Sequence, residues 1–85
     1  MFNEHHLIYS PLQQRMTEKD RWLEIHIYRM PNTGWTLEVV DDKGCSTVWD
    51  GEFNTDKEAF DQALAEITEV GISNFIDQPP ASSLH

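Results

Sequence analysis

In the stretch WLEIHIYRM, residues 22–30, apolar and polar side chains alternate: Leu23, Ile25 and Ile27 fall on one side, and Trp22, Glu24, His26, Tyr28 and Met30 on the other. A period of two is that of a strand with one face buried. PNTG then offers a turn, with Pro31 at its start and Gly34 where a positive φ is wanted, and DDKG repeats the design after WTLEVV. Two hairpins follow from this spacing, with strands over 22–30, 35–40 and 45–50. LQQRMT before EKDR predicts a further strand over 12–17.

After residue 53 the period changes. In NTDKEAFDQALAEITEVG, Phe60, Ala63, Leu64 and Ile67 make one apolar stripe at helical spacing. Thr55, followed three residues later by Glu58, is a capping box, and Gly71 marks the helix end as a left-handed cap that folds Ile72 back on Ile67. Ile72, Phe75 and Ile76 continue the apolar surface in a short segment. The fold class expected is α+β: an antiparallel three- to four-stranded β-meander packed on one face by a single C-terminal α-helix, in ββββα order.

Turn chemistry sets the expected register. If both glycines form the bulge of a type I turn, Pro31 lies opposite Trp35 and Asp41 opposite Cys45, so Ile27 faces Val39 and Leu37 faces Trp49. A two-residue turn at Lys19 and Asp20 pairs Met16 with Leu23 and puts Leu12 on the same side. The helix should then cover Leu23, Ile25, Ile27, Leu37, Val39 and Trp49. The opposite face receives Tyr28 beside Glu38 and Val48, His26 beside Val40 and Ser46, and Arg15 opposite Glu24. Trp22, His26, Tyr28, Met30, Glu38, Val40 and Val48 are the candidate partner-binding residues, because a contiguous aromatic and aliphatic surface away from the core marks an interaction site.

No catalytic, metal or cofactor site is expected. Asp41 and Asp42 start a turn, where a short acceptor side chain bonds nearby backbone N–H groups, and Glu38 and Asp50 on the open face are spaced rather than paired. Carboxylate catalysis needs a concave, desolvated place that separates two pKa values. His5 and His6 stand beside Glu4 in a tail, without the fixed geometry a metal needs. His26 has no ligand partner at suitable spacing. Cys45 has no base beside it, Ser46 and Ser73 lack a nucleophile-elbow context, and the four glycines form no phosphate-cradling loop.

The 85 residues make one domain, read as a flexible tail over 1–11, a core over 12–76 and a disordered tail over 77–85. So small a chain buries a limited core, which makes self-association a natural expectation. Three Trp, two Tyr and four Phe residues are too many for a disordered chain despite the net charge of -9. A single cysteine, no signal-peptide pattern and no long apolar run point to a cytoplasmic protein without a membrane anchor. Fifteen acidic residues against six basic ones oppose a polyanionic partner.

The function expected is a small acidic, non-enzymatic interaction module that binds a protein partner, or forms a homodimer, through the face or edge of its sheet. Four meandering strands and a helix over 12–70 also resemble a PUR repeat or the related Whirly arrangement. That resemblance implies single-stranded nucleic-acid binding, with Trp22, His26 and Tyr28 stacking on bases; Arg15 is the one cation the register puts there. A third reading makes the acidity itself functional. Carboxylates at Glu38, Asp41, Asp42, Asp50, Glu52, Asp56 and Glu58 would then mimic a nucleic-acid backbone and fill the basic groove of another protein.

Overall fold

The computed structural model describes residues 7–78. Five strands and two helices follow in the order β1 (Ile8–Tyr9), β2 (Gln14–Glu18), β3 (Arg21–Arg29), β4 (Thr36–Asp41), β5 (Ser46–Val48), α1 (Asp56–Val70) and α2 (Ile72–Asp77). All strand pairs are antiparallel. β3 is central, with β4 on one side, while β1 and β2 share its other side and β5 lies beyond β4. The ββββα meander is thus present, extended by one short strand and one short helix.

Ile8 and Tyr9 correct the expected tail. They pair with Arg29 and Tyr28, and Ser10, nearly fully buried, donates its N–H to the Ile27 carbonyl at 2.9 Å. The Ser10 hydroxyl donates to Asp56 at the start of α1 (2.8 Å) and accepts from the Leu12 N–H (2.9 Å). This latch ties the first strand to the first turn of the helix. At the other end, Asp77 closes α2 instead of opening a tail. The tail readings for 1–6 and 79–85, and the pair His5 and His6, lie outside the described residues.

The core face is as the alternation predicts. Leu23, Ile25, Ile27, Leu37, Val39 and Trp49 are buried beneath Ala59, Ala63 and Ile67 of α1 and Ile72, Phe75 and Ile76 of α2, with Leu12 and Met16 against its edge. The helical stripe is turned slightly from the expected one, so that Ala59 is buried while Phe60 and Leu64 flank it. Small side chains along the centre let α1 approach the sheet closely. Trp49 stacks on Phe75 with ring centroids 6.1 Å apart and sends its indole N–H to Glu66 (3.0 Å).

One register differs from the turn-based expectation. Ile27 faces Leu37, Ile25 faces Val39, and Tyr28 faces Thr36, a shift of two residues along β4. The cause is the loop after β3. Thr33 bonds both backbone groups of Met30 through its N–H and hydroxyl, and the Met30 N–H is taken by that hydroxyl at 3.0 Å. Gly34 is also not at positive φ. It is needed for space: a Cβ there would sit 2.9 Å from the Cβ of Glu52 and from the Phe53 carbonyl oxygen. A shift of two leaves every side chain on its original face. The second hairpin is as expected, with Asp41 accepting from the N–H groups of Lys43 (2.9 Å) and Cys45 (3.0 Å).

The helix junction departs from the expected left-handed cap. Thr55 caps α1 by accepting from the Glu58 N–H at 3.1 Å. Gly71 has φ 88° but ψ 154°, ends α1 by donating to Ile67, and at once begins α2, where its carbonyl accepts from Phe75. One residue in a conformation open only to glycine turns the chain so that both helices cover the same core. The Ile67 carbonyl is taken by the Gly71 N–H, and Ile67 and Ile72 enter the same core cluster.

Both sheet edges are interrupted. From Ile8 to Gln14 the outer strand takes six steps while β3 takes four, from Arg29 back to Ile25. From Val48 to Phe53 it takes five while β4 takes three, from Glu38 back to Trp35. Such insertions bend an edge away from a flat partner strand.

Candidate functional site

The helix-free face of the sheet is built from the second set of the β3 alternation and its neighbours. Across it run the rows Thr17–Trp22, Arg15–Glu24–Val40–Ser46, His26–Glu38–Val48 and Tyr9–Tyr28–Thr36. Arg15 does lie opposite Glu24. His26, however, sits beside Glu38 and Val48 rather than Val40, and Tyr28 sits beside Thr36, because of the two-residue shift. Met30 stands beyond β3 in the loop, half-buried.

Each aromatic of this face meets a polar or aromatic partner. The Arg15 guanidinium stacks over the Trp22 ring at 4.1 Å and pairs with Glu24 at 3.2 Å, whose other oxygen lies 3.3 Å from His26 Nε2. Tyr28 donates its hydroxyl to Glu38 at 3.0 Å, a diagonal contact between adjacent rows. Tyr9 packs against Tyr28 in a tilted arrangement with centroids 6.1 Å apart, the geometry aromatic quadrupoles favour. Burial, then the hydrogen bond and charge of Glu38, push the Tyr28 hydroxyl up to about 12.

Exposure is distributed differently from the expectation. Trp22, Tyr28, Val40 and Val48 are half-buried by their cross-strand neighbours. The large hydrophobic residue that stands out is Tyr9, 57% exposed; Val70, on α1, is the other among the described residues. Sequence reasoning missed Tyr9 because Ile8 and Tyr9 are too short a run to show a period. The available signal was the match between this aromatic pair position and the free end of β3.

The face is shallow. Where the edge strand breaks, Gln13, Gln14, Arg15, Glu24, Ile25 and His26 line an open hollow of about 220 Å³. Glu38 is committed to Tyr28, and Asp50 stands exposed after β5, so the structure does not join these two carboxylates. Among the described residues, no three or more His, Cys, Asp or Glu side chains are placed to hold a metal ion. Asp42 takes a role the turn reading did not give it: it pairs with Arg21 at 2.9 Å and accepts from the Trp22 N–H at 3.2 Å. The Arg21 hydrogen bond holds its carboxyl below the usual carboxylate range. Among the described residues, no helix is long and apolar enough to cross a membrane. Compared with protein-family models, curated proteins and solved structures, the chain shows no match.

Proposed function

We propose that the protein is a non-enzymatic interaction module of the cytoplasm that binds a protein partner on the helix-free face of its sheet. The observation that carries this reading is the exposed Tyr9 ring, packed on Tyr28, which is itself bonded to Glu38. An aromatic anchor beside a carboxylate suits a partner that brings an apolar group and a cation together. The open face is favoured over the edges because both edges carry insertions. A partner with basic residues fits better than a second copy, which would set Glu24, Glu38 and Asp50 against their own kind.

The nucleic-acid reading draws less support. Arg15 is engaged with the Trp22 ring and with Glu24, so neither its charge nor that ring face is free for a phosphate or a base. Affinity capture of wild-type protein from its own cell, compared with a Tyr9→Ala variant, tests the proposal. A partner retained by wild type and weakened about thirtyfold by the substitution supports it, as expected for about 2 kcal/mol at an interface centre. A doubled mass in light scattering would instead assign the face to a second copy. A salt-sensitive complex with single strands, lost on Tyr28→Ala, would sink the protein-partner reading.

A further inference from the structure

The last two turns of α1 and the side of α2 enclose a hollow of about 130 Å³, lined by Glu66, Glu69, Val70, Phe75 and Gln78. It lies on the helical layer, away from the sheet face discussed above. Its wall is apolar: Phe75, backed by the stacked Trp49 ring, and Val70, 45% exposed. Its rim is anionic. Glu66 and Glu69 lie three residues apart and so on one side of the helix. They also sit in the part of α1 where the helix dipole is negative, and the last turn has no basic residue.

These two carboxylates differ from the other acid beside α2. Asp77 is paired with Arg21 (3.5 Å) and Lys43 (3.4 Å). Among the described residues, neither Glu66 nor Glu69 pairs with a cation. Glu66 is nevertheless fixed in place, since Oε2 accepts from the Trp49 indole at 3.0 Å and from the Gln62 amide. Its Oε1 is left without a hydrogen bond among the described residues. An oriented carboxylate over an aromatic and aliphatic wall has the chemistry to receive a side chain with an apolar stem and a cationic head.

From this geometry we infer that the α1–α2 hollow is a second docking site, which receives an arginine side chain of a basic partner. The methylene stem lies along Val70 and Phe75, and the planar guanidinium reaches both carboxylates with several donors at once, which a lysine ammonium does less well. Charge complementarity selects this occupant. A second copy of a chain with net charge -9 is repelled, and residues 79–85, which follow Gln78 in the sequence, include no lysine or arginine.

The test is a titration of the full-length ¹⁵N-labelled protein with the peptide acetyl-Ala-Arg-Ala-amide, with citrulline replacing arginine as the neutral control. Chemical-shift changes are expected to centre on the Trp49 indole and the amides of Glu69, Val70 and Gln78, and to vanish with the citrulline peptide. Glu69→Gln, an exposed change, should weaken binding about fivefold, whereas Glu58→Gln at the far end of the helix removes the same charge and should leave it unchanged. Equal weakening by the two substitutions, or shifts spread over the whole acidic surface, would reduce the effect to net charge and overturn the site. A chain ending at Gln78 that binds the peptide several-fold more tightly would show that residues 79–85 fill the hollow, and would overturn the assignment to a partner.

Discussion

The two faces of one sheet are held together by different physics. Toward the helices, Leu23, Ile25, Ile27, Leu37 and Val39 are fully or almost fully removed from water and belong to one apolar cluster. Toward the open side, Trp22, Tyr28, Val40 and Val48 keep part of their surface wet, and the aromatics are met by named partners: Arg15 for Trp22, Glu38 and Tyr9 for Tyr28. Burial is non-directional, so the covered face asks only for apolar residues of suitable volume. The open face depends on directional contacts and therefore on which residue stands opposite which. Stability should reside mainly in the first face and recognition in the second.

The largest expected effect separates the faces directly. Ile27→Ala empties a site at the centre of the core and should cost about 2–5 kcal/mol, lowering Tm by roughly 10 °C or more in a domain of this size. Val48→Ala removes a half-buried side chain of the open face and should cost less than about 1 kcal/mol. Thermal unfolding of the pair followed by circular dichroism checks both. Similar losses would mean that the open face is part of the stabilising core.

Next in size is the junction that keeps the covering layer in place. Gly71 holds φ 88° and ψ 154°, and a Cβ there would meet nothing within 4 Å. Gly71→Ala is thus a test of backbone strain alone, with an expected cost of about 1–3 kcal/mol. A variant as stable as wild type in urea would show that the junction relaxes to another conformation without loss.

What could be read from the sequence follows the same division. Face membership was legible because a side chain's face depends only on odd or even position: Ile27 stays buried whether it opposes Val39, as expected, or Leu37, as found. Row membership was not, because the two-residue shift arises from Thr33 closing the loop on Met30 and from Gly34 lying against Glu52 and Phe53, contacts between distant or irregular segments. The cap at Thr55 and the helix end at Gly71 were legible as local chemistry. The ψ of Gly71 was not, since it is set by where α2 must lie on the core. Tyr9, the most exposed aromatic of the candidate face, was hidden for a related reason: a two-residue strand has no period, and its place is fixed by the Ser10 bonds to Ile27 and Asp56.

The smallest expected effect concerns a directional contact of the open face, the Tyr28 hydroxyl. Its bond to Glu38 should contribute about 1 kcal/mol, so Tyr28→Phe is expected to lower stability at neutral pH by about that amount. At alkaline pH the difference should close. Burial and then the Glu38 carboxylate raise the folded-state value to about 12 from an ordinary 10.0. Below pH 10 the hydroxyl is neutral in both states and its contribution is complete. Between about pH 10 and 12 the unfolded chain releases this proton first, so wild type loses stability relative to the Phe variant as pH rises. Measuring both proteins in urea from pH 8 to 11.5 isolates the effect, because other alkaline titrations are common to the two. A gap that stays constant across that range would mean that Tyr28 is neither shielded by its neighbours nor coupled to Glu38, and the open face would then be an ordinary solvated surface.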